Sequence, residues 1–379
     1  MAQSTGEELF TTSWTLHRLS PLYHGKECQT LLDNPRALAL YADRLRDLLR
    51  GDTLRGVQVG LDNTLALDDA IAKAGALNAC KWEALPTWSH WNEEQSLLED
   101  PDNDTLVIAP EESAGILVTL SYENATYKAA LLAGPDGYHD SRKENTYFPL
   151  LVTRLPNPLR QTFISFLATN FDTHCSILRL PSSFLCAALE NYLATLNNAL
   201  TRRNSSVSAR QVIERVVKDT QLTLTFPAPI APALKSLDVH IRRESLTAFF
   251  THGSTTAAID NAENNKGPST PFLAALSTYF DTHLAMKLNI DHFRDATTSP
   301  IGEKEYMRLT KVSCGAFVLG SEGRVKLLAN PGRVMPFADS DAENEDDDND
   351  DADSDSREIR AVWRANEGLL RALVERATV

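Results

Sequence analysis

Long apolar runs, paired cysteines and phosphate-binding glycine loops are all missing from this 379-residue chain. Each absence removes a class of protein. No stretch approaches the roughly 18–20 unbroken apolar residues that a membrane helix needs. The opening MAQSTGEELF has neither the basic start nor the apolar centre of a signal peptide. Together these point to a soluble protein made in the cytosol, with no membrane partner, whose sequon Asn124-Ala125-Thr126 never meets the glycosylation machinery. The five cysteines, Cys28, Cys80, Cys175, Cys186 and Cys314, are odd in number, widely spaced and without a Cys-x-x-Cys. That argues against a disulfide framework or a zinc knuckle and for buried free thiols in a reducing compartment such as cytosol or nucleus. The sequence also lacks G-x-x-x-x-G-K-[ST], a G-x-G-x-x-G after a strand, H-E-x-x-H and G-x-S-x-G. No catalytic residue, metal site or cofactor is therefore expected.

Basic residues are absent from one stretch in particular. DSDAENEDDDNDDADSDS, Asp339 to Ser356, carries eleven acidic residues and no basic one. The formal charge of −14 falls to −3 once those eleven are set aside, so the body is close to neutral. An acidic total does not by itself exclude a surface that faces nucleic acid.

What is present is a mixture of helix and strand patterns, with 42% hydrophobic residues, enough for a sizeable core or two modest domains. Thr11–Leu19 reads as an opening strand, and Asn34-Pro35 as the capped start of a helix ending at Gly51. Leu54–Leu61 reads as a second strand and Leu67–Ala79 as a short helix. The alternation at Ile116, Val118, Leu120 and Tyr122, the turn at Glu123-Asn124-Ala125 and the return at Tyr127–Leu132 predict a hairpin. A helix opens at Asn157-Pro158, the strand CSILRL follows, and Pro181-Ser182-Ser183 opens another helix. Gln221–Phe226, Leu237–Ile241 and Leu246–Phe250 read as strands. Thr270-Pro271 starts a further helix, and LAMKLNI, from Leu284, follows it as a strand. Met307–Leu319 and Arg324–Leu328 flank Gly320-Ser321-Glu322-Gly323 as a last hairpin. After the acidic run, Ile359, Val362, Trp363, Asn366, Leu369, Leu370 and Leu373 form one face of an amphipathic helix.

FDTH occurs twice, at Phe171–His174 and Phe280–His283, each closing an apolar helical pattern. At the same offset Phe163 matches Phe272, Leu167 matches Leu276 and Thr169 matches Thr278. An acid–base or metal site built from the two Asp and the two His would need further parts that nothing supplies. A repeated piece of architecture, helix then FDTH then strand, is the better reading.

The opening SWTLHRLSPLYHG, Ser13 to Gly25, and the unit ILRLPSSFL, Ile177 to Leu185, resemble the fungal branch of the centromere protein L (CENP-L) family of inner-kinetochore subunits. The resemblance covers roughly Glu8 to Pro336. It implies a non-enzymatic α+β protein with a mixed, largely antiparallel curved sheet and helices on one face. To this the residues add an internal pseudo-repeat, an acidic disordered segment and a C-terminal helix. The expected organisation is a body at 8–336, with sub-halves near 8–155 and 156–336, an acidic linker at 337–357 and a helix at 358–379. The resemblance also implies heterodimerisation with a CENP-N-like subunit, contacts with other inner-kinetochore subunits, a nuclear location at the centromere, and contact with centromeric DNA or nucleosomes through the complex. Phe317, Leu319, Val325 and Leu327 are the candidate partner-binding residues, because an edge at the last hairpin would offer unpaired backbone groups to a partner strand. Arg202, Arg203, Arg242 and Arg243 are the DNA-contact candidates. The competing readings are a nucleic-acid-binding protein acting alone and an enzyme with an unrecognised active site.

Overall fold

A computed structural model describes residues 9, 12–25, 28, 30–32, 34–54, 73–87, 113–134, 138, 144–201, 209–226, 234–246, 248–249, 251–253, 271–284, 286, 307–328 and 348–378. The protein is α+β with an open, antiparallel sheet architecture, and no closed barrel occurs among the described residues. The chain divides into two compact units, one formed by 1–9, 13–178 and 370–379 and the other by 10–12 and 179–369. The helix closing the first FDTH copy therefore belongs with the first unit.

The first unit contains β1 (Ser13–Leu19), β2 (Leu22–Tyr23), α1 (Pro35–Leu54), β3 (Leu77–Pro86), β4 (Ser113–Tyr122), β5 (Thr126–Leu132), β6 (Asn145–Thr146), β7 (Leu150–Arg154), α2 (Asn157–Phe171) and β8 (Cys175–Ile177). Its main strands run in the order β8-β1-β7-β5-β4-β3, every pairing antiparallel. The register puts Leu151, Leu131 and Ile116 on one face, and these join α1 and α2 in a single apolar cluster. Leu16, Val152, Ala130 and Leu117 line up on the opposite face and are buried as well. The near-continuous apolar text of β4, SAGILVTLSY, is the sequence of a strand covered on both sides.

Tyr41 of α1 and Phe171 of α2 meet at 4.4 Å between ring centroids, and Trp82 of β3 lies 6.2 Å from each. Burying each such aromatic contributes about 1.5–3 kcal/mol. Asn34 caps α1 as expected, its Oδ1 accepting the Ala37 N–H at 3.1 Å. The Glu123 turn is also as expected, with Tyr122 N–H donating to the Ala125 carbonyl. His24 is buried in a small polar knot: its Nδ1–H donates to the Cys28 carbonyl, and Nε2 accepts from the Thr146 hydroxyl at 3.0 Å. Burial holds its pKa below the ordinary histidine value.

The second unit contains α3 (Ser182–Thr201), α4 (Ala209–Val217), β9 (Thr220–Thr225), β10 (Ser236–Ile241), α5 (Pro271–Leu284), β11 (Arg308–Ser313), β12 (Phe317–Gly320) and β13 (Arg324–Leu327). The residues of α6 (Asp348–Thr378) up to Leu369 also belong to it. Its strands run β10-β9-β11-β12-β13, again all antiparallel.

Several expectations are corrected. Gly51 does not end the first helix, which continues to Leu54; a Cβ at this position would meet no described atom within 4 Å. Residues 55–61 and 67–72 lie outside the described residues, and Leu77–Ala79 opens β3 instead of closing a helix. Long-range pairing with β4 overrides the weak local helical pattern there. Asn157 is the first residue of α2, preceded by Pro156, and is not its cap. Leu246 sits in a helical turn, 243–246, where the Ser245 N–H reaches the Arg242 carbonyl. Met307–Leu319 is two strands, because the chain turns at Cys314–Ala316, where the Gly315 N–H donates to the Val217 carbonyl at 2.6 Å. The last helix starts at Asp348, inside the acidic run, and not at 358.

The two FDTH copies also part company. Both phenylalanines are fully buried. In the first copy the helix ends at Phe171, and Asp172 adopts the left-handed conformation at φ 46°. Thr173 Oγ1 then donates to the Ser20 carbonyl at 2.7 Å, and the His174 N–H donates to Ser20 Oγ at 2.8 Å. In the second copy Asp281, Thr282 and His283 remain inside α5, and Thr282 bonds back to the Thr278 carbonyl at 2.8 Å. The same four residues exit a helix only where Ser20 of the opening segment supplies partners for the freed backbone. The strand expected at 285–290 lies largely outside the described residues.

Candidate interaction surfaces

The second unit's sheet has two unlike faces. Phe317, Leu319, Val325 and Leu327 alternate on the buried one, where Phe317 lies 4.8 Å from Tyr192 of α3. The structure thus places all four candidate partner residues in the core of their own unit, where they support the sheet from behind. The tip Gly320–Gly323 is a plain hairpin turn, closed by Gly323 N–H to the Gly320 carbonyl at 3.0 Å.

On the opposite face none of the strand residues is fully buried. The register sets Asp238, Thr223, Lys311, Gly320 and Arg324 in one row across five strands. The next row is His240, Gln221, Ser313, Val318 and Lys326, and Arg308 stands opposite Thr225 beyond it. Arg308, Lys311, Arg324 and His240 are exposed, and Lys326 is half-exposed. The only carboxylate in these rows, Asp238, accepts the Thr223 hydroxyl at 2.6 Å. Strand spacing of about 4.8 Å puts Lys311 and Arg324 about 10 Å apart, with small or β-branched side chains between. Basic residues scattered over the sequence are thereby gathered on one surface.

Sequence reasoning missed these cations. The available signal was the alternation of charged and apolar residues in RLTKVS and RVKL. Of the expected DNA contacts, Arg202 and Arg203 lie outside the described residues. Arg242 and Arg243 are exposed just after β10. The Arg243 N–H donates to Asp219 at 3.2 Å, and its guanidinium pairs with Glu244 at 3.1 Å.

The sheet's outer strand is β10. It pairs with β9 on one side, and no described residue pairs with its other side. In the first unit β3 is likewise a sheet edge, but Arg50 reaches across its start and donates to the Leu77 carbonyl at 3.0 Å and the Asn78 carbonyl at 3.3 Å. Among the described residues β10 has no such cover, and an edge strand of this kind presents a row of backbone groups along its rim.

Behind the sheet, Glu190 of α3 is buried and accepts the N–H groups of Phe272 and Leu273 at 3.2 and 2.9 Å. A carboxylate from another helix therefore caps α5; Thr270 lies outside the described residues. Burial raises the Glu190 pKa, while the two N–H donors pull it down. Asn366 of α6, fully buried, donates to the Leu328 carbonyl at 3.0 Å and bonds the Tyr192 hydroxyl at 3.1 Å. The apolar face expected for the last helix is buried from Val362 to Leu373, with Ile359 half-buried, and Arg215 of α4 pairs with Glu358 at 3.2 Å.

Among the described residues no group of three His, Cys, Asp or Glu could hold a metal ion. Burial pushes the Cys80 and Cys175 thiols up to about 12 and Cys314 to about 11, so none is a thiolate at neutral pH. The His174 backbone N–H is held at the helix exit while its side chain is exposed, and the His283 ring lies tilted 4.4 Å from that of Tyr279. No helix among the described residues is long and apolar enough to cross a membrane.

The family described as Centromere protein L matches residues 8–378, nearly the whole chain. A comparison with curated proteins found no match.

Proposed function

The chain belongs to the centromere protein L family, and on that premise we propose that it is a non-enzymatic scaffold subunit of the inner kinetochore, acting by heterodimerisation with a CENP-N-like subunit at centromeric chromatin. The family itself consists of structural kinetochore components. Membership makes this a nuclear protein of the centromere and kinetochore, associated with other centromere proteins and serving chromosome segregation in cell division.

The observation that carries the heterodimer is the open rim of β10. A partner strand laid along it would satisfy that rim and extend the sheet. Phe317, Leu319, Val325 and Leu327 contribute by holding the sheet on its helices. The test is co-purification of a tagged CENP-N-like subunit with two variants, Asp238→Pro and Val239→Pro. Alternate N–H groups of an edge strand point outward, so one of the two prolines blocks the rim and leaves the β9 ladder intact. That variant is expected to fold and lose the partner. Full recovery of a stoichiometric complex with both would remove β10 from the interface.

A second reading, contact with duplex DNA, is favoured by the basic rows of Arg308, Lys311, Arg324 and Lys326. Among the described residues, the rows of this face carry no Phe, Tyr or Trp on which unpaired bases could stack. What it offers is sequence-independent contact with a phosphate backbone. Arg242 and Arg243 would extend it past β10, and Arg202 and Arg203 are further candidates. The expected result is that Lys311→Glu with Arg324→Glu weakens binding of a fluorescent duplex at least tenfold at 50 mM salt. Unchanged binding would reject the face.

A further inference from the structure

The two arginine pairs share a longer pattern. Each is followed by one residue and then a serine, as Arg202-Arg203-Asn204-Ser205 and Arg242-Arg243-Glu244-Ser245, and Arg-Arg occurs nowhere else in the chain. Residues 202–205 lie outside the described residues, whereas the second copy is described throughout. Arg242, Arg243, Glu244 and Ser245 are consecutive exposed residues between the end of β10 and the fully buried Leu246. Ser245 lies in the first helical turn after β10, where N–H groups have no partner one turn back. The turn is held by the Ser245 N–H donating to the Arg242 carbonyl at 3.0 Å and the Arg243 N–H donating to Asp219 at 3.2 Å. A single turn of this kind opens locally while the core beneath it stays shut. The Arg243 guanidinium pairs with Glu244 at 3.1 Å, but both side chains are largely exposed, so the pair is weak and exchangeable.

The residues around Ser245 select a class of enzyme. The residue after it is Leu246 and not proline, and Leu246, Thr247 and Ala248 include no acid. Proline-directed and acid-directed protein kinases are thereby set aside. Arginines three and two residues before the acceptor suit a kinase whose peptide cleft is lined with carboxylates, which guanidinium groups bind through paired, charge-assisted hydrogen bonds.

We propose that Ser245 is the phosphate acceptor of an arginine-directed serine/threonine protein kinase, and that the phosphate withdraws Arg242 and Arg243 from any other polyanion. In the transfer, Ser245 Oγ attacks the γ-phosphorus of Mg-ATP. The Oγ–P bond forms and the bond from that phosphorus to the β,γ-bridging oxygen breaks. ADP leaves with the electron pair, and the serine proton passes to the kinase's catalytic carboxylate. The product carries a charge of about −1.5 to −2 at pH 7 and three acceptor oxygens, which compete with Glu244 for the Arg243 guanidinium. The effect on polyanions rests on the duplex reading above, in which Arg242 and Arg243 extend the basic face; the acceptor itself does not.

Two measurements separate the ideas. In the first, the folded full chain is incubated with Mg-ATP and the catalytic subunit of cAMP-dependent protein kinase, an arginine-directed enzyme, and each phosphate is located and counted by mass spectrometry. Ser245 is expected to be modified, and Arg242→Ala with Arg243→Ala should slow that modification at least tenfold. Ser245→Ala should fold as wild type does, because the residue is exposed. Absence of phosphate from Ser245, including phosphate confined to Ser205, overturns the proposal. So does a Ser245 rate that ignores the two alanines, or modification seen only after the chain is unfolded by heat.

In the second, the phosphorylated and unmodified chains are compared by anisotropy on a fluorescent duplex. Phosphorylation should weaken binding at least tenfold at 50 mM salt and reduce the salt dependence by about two units of slope, one for each arginine withdrawn. Kinase-treated Ser245→Ala should keep the unmodified affinity. Equal binding by the two forms upholds the acceptor and overturns the withdrawal of Arg242 and Arg243. A chain that is modified on Ser245 but binds no duplex in either form sinks the duplex reading and upholds the acceptor.

Discussion

The two sheets are built from the same antiparallel pairing yet serve different ends. In the first unit both faces are apolar, and Leu16, Val152, Ala130 and Leu117 are as deeply buried as the face against the helices. In the second, one face is core and the other presents Lys311, Arg324 and Lys326 beside threonine, serine and glycine. A sheet buried on both faces is given over to stability. A sheet with a free face can change its surface chemistry at little cost to its core.

The largest test of that contrast is Phe171→Ala, which opens a hole between Tyr41 and Trp82. It should cost about 3–5 kcal/mol in urea unfolding, whereas Val318→Ala on the open face should change stability by no more than about 0.5 kcal/mol. Similar losses from both would abolish the distinction.

Next comes Glu190→Ala, which orphans two buried N–H groups at the start of α5. A loss of about 2–4 kcal/mol is expected, with Glu190→Gln, which keeps an acceptor, losing less. If the two variants unfold alike, Glu190 does not act as the cap.

The third concerns His17, buried in β1, whose pKa burial and nearby Arg160 lower from 6.5 to about 4. A lowered histidine value means that the unfolded chain takes up the proton first. The stability from neutral His17 is therefore whole above pH 6.5 and lost as pH falls from there toward about 4, a change of up to about 3 kcal/mol. Thermal melts of wild type and His17→Gln across that window should converge at low pH if His17 is responsible. Parallel curves would assign the acid sensitivity elsewhere.

The smallest stability effect belongs to Lys311→Ala and Arg324→Ala singly, within about 0.5 kcal/mol of wild type. Each should nevertheless reduce the salt dependence of duplex binding by about one unit of slope. A large loss of stability would mean that these side chains serve the fold and not the surface.

How much could be read in advance followed the range of the interactions. The Asn34 cap, the turn after Tyr122 and the apolar face through Trp363 and Leu373 depend on residues within a few positions of one another. All three were legible. β3 was not, because LNACKWEALP alternates only loosely and becomes a strand through pairing with β4. The second FDTH was expected to leave its helix like the first, yet no partner like Ser20 releases it. The partner and DNA candidates were chosen as local runs, Phe317 to Leu327 and two arginine pairs. The surface that emerged combines residues from Gln221 to Lys326.

The sequence by itself determined the α+β class, the capped and amphipathic helices, the acidic run and the likeness to centromere protein L. These rest on composition, on periods of 2 and 3.6 residues, and on hydrogen bonds closed within a turn. Only the tertiary structure decided which face of each sheet is buried, that Glu190 caps a helix some 80 residues away, and that four separated cations share one open surface. Strand register and helix docking are set by long-range packing, and a shift of one residue would send each of those cations to the opposite face.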